Sequence, residues 1–397
     1  MSEAAFPTPD VEVESITPET LREQIDAGEQ VTILDVRAEN EYDEWQIDGP
    51  AVESVNVPYF EFIDEVDPAL VEDVPEADPL VVVCAKGGAS EYVAGVLAEE
   101  FGIEAVNLAD GMNGWARIYD AVEVSRYDGP GRVFQYQRPS SGCLSYLVVA
   151  GDEAAVIDPL RAFTDRYLDD AEDLGADLVN AFDTHIHADH VSGVRDLDDE
   201  DVTGVIPAES VDRGVTYADA LATADDGDTY AVGDVTIETV YTPGHTSGMT
   251  SYLVGGSLVT TGDGLFTESV ARPDLEEGDE GAPEAARELY ESLQERVLAL
   301  GDDVLVGGAH FSDAAEPAGD GTYTATVGDL EATMEALRLP KDDFVDLILS
   351  DMPPRPANYV DIIETNLGQQ TADDQRAFTL ELGPNNCAAS QDALTSD

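Results

Sequence analysis

All five histidines of this chain stand just past a predicted apolar strand, and that placement limits the folds open to it. Leu178–Phe182 leads into Thr184-His185-Ile186-His187-Ala188-Asp189-His190, Val235–Tyr241 into Thr242-Pro243-Gly244-His245-Thr246, and Val304–Val306 into Gly308-Ala309-His310. Leu258–Thr261 leads in the same way to Gly262-Asp263. Loops along one edge of a rigid sheet can gather side chains from distant stretches of sequence. In extended backbone, residues two apart share a side, so His185 and His187 face the same way. Pro243-Gly244 makes a tight turn that aims His245 inward. The glycines before Asp263 and His310 let backbone approach a common centre. Neutral imidazole is the commonest metal ligand, and none of the five histidines is left over for other duty. The pattern predicts a metal centre.

Composition restricts what surrounds that centre. Hydrophobic residues make up 43% of the 397, enough for real cores, yet Asp and Glu outnumber Lys and Arg by 85 to 18. A formal net charge of −67, spread along the whole chain, excludes nucleic acid and anionic membrane as partners. Self-repulsion on this scale opposes a compact state in dilute buffer. Salt relieves it, because the Debye length falls to about 3 Å near 1 M ionic strength. We therefore expect a protein adapted to a high-salt cytoplasm. The two lysines, Lys86 and Lys341, fit that adaptation. Three cysteines, Cys84, Cys143 and Cys387, are too few and odd in number for a disulfide scaffold and suit a reducing compartment. No apolar leader or spanning run is evident. A homo-oligomer is compatible with the sequence.

Hydrophobic patterning divides the chain into four parts. Residues 1–11 read as a flexible acidic arm. Residues 12–125 alternate strands with helices, which means a parallel α/β sheet. Thr17 caps a helix with Pro18 at its first position, Val31–Val36 and Leu80–Cys84 are buried strands, Ser90–Phe101 is a helix and Ala105–Leu108 a third strand. Residues 126–370 open on consecutive short strands, Arg132–Tyr136, Leu144–Val149 and Ala154–Asp158, as in an antiparallel layer. Helices follow at Arg166–Leu174 and Pro283–Leu300, with a mostly helical stretch after His310. Residues 371–397 read as a polar tail. There is no internal repeat.

The His-x-His-x-Asp-His motif, with the later His245, the Asp263 of Thr261-Gly262-Asp263 and a final His310, resembles the metallo-β-lactamase superfamily. That resemblance implies an αβ/βα four-layer sandwich. Two branches share these motifs, the persulfide dioxygenases and the glyoxalase II hydrolases. Ala271-Arg272-Pro273-Asp274, nine residues beyond Asp263, resembles a dioxygenase stretch whose arginine helps to hold substrate. Gly142-Cys143-Leu144-Ser145-Tyr146-Leu147 and Pro353-Pro354-Arg355-Pro356-Ala357-Asn358 also resemble that branch. The resemblance implies one Fe(II) per chain, held by His185, His245 and Asp263, with a small thiol persulfide and O2 as reactants. His187, Asp189, His190 and His310 would then orient ligands and solvent. In the hydrolase branch they complete a two-zinc site instead. A two-histidine, one-carboxylate face suits ferrous oxygen chemistry. Asp158 reads as the end of a strand, and Cys143 as a small buried residue.

Cys84 ends a strand, and Ala85-Lys86-Gly87-Gly88-Ala89 separates it from a helix. Loop N–H groups and a helix N-terminus favour thiolate there, and Lys86 adds positive charge. Leu34-Asp35-Val36-Arg37 with Glu41-Tyr42, and Gly111-Met112-Asn113-Gly114-Trp115, resemble the signatures of a single rhodanese domain. This implies that Cys84 is catalytic and carries sulfane sulfur, with Lys86 beside the substrate. Ala89 departs from the family, which often has arginine before the loop's last serine. Together the resemblances imply an α/β rhodanese domain followed by the four-layer sandwich, a bifunctional sulfur enzyme. A zinc thioester hydrolase with a rhodanese-like docking module is the alternative, and a non-enzymatic sulfur carrier is a third reading.

Overall fold

The computed structural model describes residues 9, 11–49, 51–63, 70, 74, 77, 79–312, 314–350 and 352–382. Most of the acidic arm and Cys387 lie outside the described residues. The chain forms two compact units, residues 1–118 and 119–397. Among the described residues no helix is long and apolar enough to cross a membrane.

In the first unit the elements run β1 (Ser15–Ile16), α1 (Pro18–Asp26), β2 (Val31–Asp35), α2 (Glu39–Glu44), β3 (Val52–Asn56), β4 (Leu80–Val83), α3 (Gly88–Val96), β5 (Ala105–Leu108) and α4 (Gly111–Trp115). The sheet order is β1-β5-β4-β2-β3, with every pairing parallel. A parallel sheet needs cover on both faces, and alternation along each strand supplies two apolar sides. Leu34, Leu80 and Val82 pack with Val93 and Leu97 on one side. Ile33, Val81 and Val83 pack with Leu21, Met112 and Trp115 on the other. Thr17 caps α1 by accepting from the Thr20 amide.

The second unit begins with β6 (Asp120–Glu123), which pairs with β7 (Arg132–Gln137). Residues 119–125 therefore belong to it, whereas sequence patterning assigned them to the first unit. The short, exposed β6 has too little apolar pattern to declare its sheet. Next come β8 (Leu144–Ala150), β9 (Glu153–Ile157), α5 (Thr164–Asp173), β10 (Asp177–Phe182), α6 (Val194–Asp198), β11 (Thr203–Pro207) and β12 (Ala222–Ala224). These strands make one sheet, ordered β12-β11-β10-β9-β8-β7-β6. A second sheet, ordered β13 to β18, comprises β13 (Thr229–Val232), β14 (Val235–Tyr241), β15 (Thr250–Val254), β16 (Leu258–Gly262), β17 (Leu305–Gly308) and β18 (Ala325–Thr326). Between β16 and β17 lies α7 (Gly278–Ser292). The described residues end in α8 (Val327–Thr333), α9 (Lys341–Ser350), α10 (Tyr359–Asn366) and α11 (Asp374–Leu380).

The layers follow from alternation within strands. Tyr146, Val148 and Ile157 of the first sheet meet Ile237, Tyr252 and Leu305 of the second in one buried cluster. Their neighbours Leu147 and Val156 turn the other way, against Tyr167 and Leu197 of α5 and α6. Val259 and Val306 turn outward from the second sheet, against Leu289, Leu330 and Phe344 of the later helices. The result is helix, sheet, sheet, helix, as expected.

The polar tail is corrected. Residues 374–380 form α11, capped by Asp373, with Ala377, Phe378 and Leu380 buried. Just beyond it, Glu381 makes an ion pair with Arg138, 2.7 Å apart, both side chains at most 1% exposed. A seven-residue helix is too short to read from periodicity, and its partner lies 243 residues away.

Candidate metal centre

β9 and β10 are parallel neighbours, and the chain past each supplies the first half of the site. Asp158 follows β9 in a left-handed conformation, with φ +53°. Its carboxylate accepts from the Thr184 amide at 2.7 Å, from the Thr184 hydroxyl at 2.9 Å and from His187 Nε2 at 3.1 Å. Asp158 is therefore more than a strand end, because it shapes the histidine loop. At the end of β16, Gly262 has φ +50°, and a Cβ there would lie 2.5 Å from Thr184 Oγ1. Asp263 reaches the centre only because its neighbour has no side chain. Gly244, with φ +135°, packs against the backbone of Leu289 on α7 with no room for a Cβ.

These loops bring His185, His245 and Asp263 together. His185 Nε2 lies 3.6 Å from Asp263 Oδ2, and His245 Nε2 lies 3.5 Å from the same oxygen. All three atoms are buried and have no hydrogen-bond partner. The remaining atom of each group is engaged. The Thr184 hydroxyl proton goes to Asp158, so its oxygen accepts from His185 Nδ1 at 2.9 Å. The Arg272 carbonyl accepts from His245 Nδ1 at 2.9 Å. Asp263 Oδ1 accepts from His310 Nδ1 at 2.5 Å. Both imidazoles therefore turn a bare Nε2 lone pair to the same point as a carboxylate oxygen. Burial, with His187 adjacent, lowers His185 to about 3, and burial also lowers His245. Both are neutral. Burial alone would raise the Asp263 carboxyl, but His310 and His185 hold it well below the carboxylate range. Orphaned buried acceptors are rare and ask for a partner. A cation satisfies all three, and the donor set of two nitrogens and one oxygen fits iron or zinc.

His310 stands between two carboxylates. Its Nε2 donates to Asp189 Oδ2 at 2.7 Å, where His190 Nδ1 also donates at 3.0 Å. Cys143 joins them, with Sγ 3.2 Å from Asp189 Oδ2. One ligand atom from each of Cys143, Asp189, His190 and His310 lies within 4.8 Å of the others. The thiol is buried as expected, on the edge of the apolar cluster that holds Leu147, Val156 and Leu160, with this polar group on its other side. His187 Nδ1 and His190 Nε2 are further buried atoms without hydrogen-bond partners.

Arg272 departs from the expected substrate-holding role. Its side chain is 1% exposed and pairs with Asp274 at 2.7 Å. Nη1 and Nη2 donate to the carbonyls of Pro354 and Pro353, each at 2.9 Å. With Nε, Nη1 and Nη2 all on protein acceptors, Arg272 ties the Pro353-Pro354 segment to the loop that orients His245.

Two residues with no motif to announce them clamp the His-x-His-x-Asp-His loop. Asn366, at the end of α10, donates to the carbonyls of His187 and His190 and accepts from the Ser192 amide. Glu381 accepts from the Val191 amide at 2.9 Å. A buried loop needs such partners for its backbone.

In the first unit, Cys84 is 5% exposed. Its sulfur accepts from the Gly87 amide at 3.1 Å, and Ser90 Oγ is equally close. Ser90 also contacts Asn107 Oδ1 at 2.7 Å. Gly87, with φ +87°, turns the loop into α3. Lys86 is exposed in that loop and Ala89 is buried. In the Leu34-Asp35-Val36-Arg37 signature, Asp35 and Arg37 form a buried pair at 2.7 Å, and Arg37 reaches the Trp45 carbonyl.

Comparison with known proteins places both units. The metallo-beta-lactamase superfamily profile matches residues 139–310, and the rhodanese-like domain profile matches residues 17–118. The mitochondrial persulfide dioxygenase ETHE1 of Homo sapiens is 29% identical over 245 residues, covering 60% of this chain and 89% of that protein. A hydroxyacylglutathione hydrolase of Gloeobacter violaceus is 31% identical over 209 residues, covering 50% of this chain and 77% of the hydrolase. The crystal structure of ETHE1 from Myxococcus xanthus superposes with a TM-score of 0.51 at 26% identity, covering 59% of this chain and 98% of that one.

Proposed function

Because this chain belongs to the metallo-β-lactamase superfamily, with a rhodanese-like domain ahead of that fold, we propose that it is a metal-dependent enzyme of sulfane sulfur. Its second unit oxidises a low-molecular-weight persulfide to sulfite with O2, and its first unit transfers sulfane sulfur through Cys84. The observation that carries the reading is the convergence of His185 Nε2, His245 Nε2 and Asp263 Oδ2, three buried acceptors with no partner in the protein. His185, His245 and Asp263 would hold a ferrous ion there, which would supply the redox chemistry with O2.

The chain's own residues do the positioning. Thr184 and the Arg272 carbonyl hold the two imidazoles in the tautomer that presents Nε2. His310 bridges Asp263 and Asp189 by donating from both nitrogens, which fixes the face that Asp263 presents. The overall reaction consumes persulfide, O2 and water, and yields thiol, sulfite and two protons. Similarity to ETHE1 over most of that protein's length supports this choice.

A second reading has its own support. The bare His187 Nδ1 and His190 Nε2 are lone pairs to spare for a second ion, and two zincs held there would activate water against a thioester, a reading that similarity to a hydroxyacylglutathione hydrolase supports. Against it, both nitrogens of His310 are already hydrogen-bonded to carboxylates.

In the rhodanese-like unit, the Gly87 amide donates to the Cys84 sulfur and the Ser90 hydroxyl lies beside it. That environment supports transfer of sulfane sulfur between a small thiol and Cys84. The cysteine usage and acidity support a reducing, salt-rich cytoplasm.

The deciding experiment pairs metal analysis of protein purified in high salt with oxygen uptake on a low-molecular-weight persulfide. One iron per chain and persulfide-dependent uptake are expected. Two zincs with no oxygen consumption would transfer the assignment to the hydrolase.

A further inference from the structure

We propose that Cys143 accepts sulfane sulfur beside the metal ligands, so that this chain carries an acceptor thiol in its second unit as well as Cys84 in its first. Most buried cysteines sit among apolar side chains and act as small hydrophobes. Cys143 is 1% exposed, yet its sulfur touches Ser141 Oγ at 3.0 Å and Asp189 Oδ2 at 3.2 Å. His190 and His310 complete the group within 4.8 Å. His190 is itself 1% exposed, and its Nε2 has no hydrogen-bond partner. A buried polar group with an open donor or acceptor position is costly unless something occupies it. The outer sulfur of a Cys143 persulfide, about 2 Å beyond Sγ, would lie among these polar groups.

Backbone geometry holds the thiol in place. Cys143 forms an isolated antiparallel bridge with His310. On either side of it, Leu144 N donates to Ala309 O at 2.7 Å, and Phe311 N donates to Gly142 O at 2.9 Å. Gly142 has φ +73°, and a Cβ there would lie 2.2 Å from Phe311 O. Cys143 is thus pinned to His310, whose other partner is the ligand Asp263. Asp189 and His310, at 7% and 6% exposure, are the members of the group nearest to solvent.

The transfer balances without any oxidant. The Cys143 sulfur attacks the outer sulfur of the donor persulfide, a new S–S bond forms and the donor's S–S bond breaks. The bonding pair leaves on the donor thiolate. The Cys143 proton goes to the departing donor thiolate. Donor persulfide and Cys143 thiol become donor thiol and Cys143 persulfide. A role for this species in turnover rests on the persulfide-oxidising reading above, whereas its formation does not.

The test is anaerobic. The full chain is incubated with cysteine persulfide, alkylated and digested, and the peptides containing Cys84 and Cys143 are weighed. A gain of about 32 Da on the Cys143 peptide is expected. Labelling at Cys84 but not at Cys143, in protein that consumes O2 with persulfide, would overturn the proposal and leave the dioxygenase reading intact. Labelling at Cys143 in protein that consumes no O2 would do the reverse. Cys143→Ser and Cys143→Ala should each lower the kcat of oxygen uptake at least about tenfold with metal content unchanged. Wild-type kcat in either variant would exclude the thiol from turnover, whereas an unlabelled Cys143 peptide overturns the proposal. The mass measurement needs no variant, so a folding defect in these two leaves it decisive.

Discussion

The side-chain amide of Asn366 donates to the carbonyl oxygens of His187 and His190, at 3.0 and 2.8 Å, across sequence separations of 179 and 176 residues. A residue near the end of the described chain thereby sets the path of the loop that carries three of the five histidines. Asn366→Leu leaves both carbonyls and the Ser192 amide without that partner. The expected loss is about 2 kcal/mol or more, since each unmet buried group costs roughly 1–3 kcal/mol. Chemical denaturation in high salt measures it, and metal content should fall with it.

Arg138 and Glu381 form a buried ion pair, with Phe163 and Phe378 near the guanidinium. Arg138→Met strands the Glu381 carboxylate, and a loss of about 3–5 kcal/mol is expected. Arg138→Met with Glu381→Gln removes both charges yet keeps an acceptor for the Val191 amide. It should recover a large part of that loss. Equal losses in single and double variants would show that the charge is not the cause.

Asp263→Asn and His245→Ala each remove one of the three convergent acceptors. Metal content should fall to near zero, and oxygen uptake by at least about 100-fold. Chelation of the wild-type protein should lower its melting temperature, because an ion that binds only the folded state stabilises it. Atomic absorption and a thermal melt with added iron read both effects.

Gly111 has φ +56°, and a Cβ on it would lie 2.0 Å from the Cys84 carbonyl oxygen. That carbonyl accepts from the Met112 amide at 2.8 Å. Gly111→Ala should cost on the order of 3 kcal/mol through left-handed strain and overpacking. It should also abolish sulfur transfer by displacing the Cys84 loop. Circular dichroism and a sulfurtransferase assay read the two consequences separately.

With a net charge of −67, the folded chain is expected to gain stability as salt screens its self-repulsion. The melting temperature should rise steadily from about 0.1 M to about 2 M KCl. A flat or falling curve would remove the argument for salt adaptation.

Much of the site was legible before the fold. Strand, turn glycine and ligand recur in one order before Asp263 and His310, and Pro243-Gly244 before His245 is a variant of it. Ligands on loops at strand ends need both an apolar run and freedom for close approach, so the local signal is strong. The surroundings of Asp158, Cys143 and Arg272 were not legible. Asp158 matters through a left-handed turn that lets one carboxylate meet Thr184 and His187. Cys143 matters through a bridge to His310, and Arg272 through a carbonyl that faces His245. Each depends on a partner distant in sequence.

Spacing and residue type alone determined the two-unit order, the gathering of histidines at strand ends and the cysteine loop. These are local matters of periodicity, turn chemistry and donor type. Tertiary structure decided which lone pairs are bare. It also decided that β6 joins the second unit and that Asn366 and Glu381 brace the histidine loop. A hydrogen bond across nearly half the chain leaves no periodic trace in sequence, because only folding brings its two ends within 3 Å.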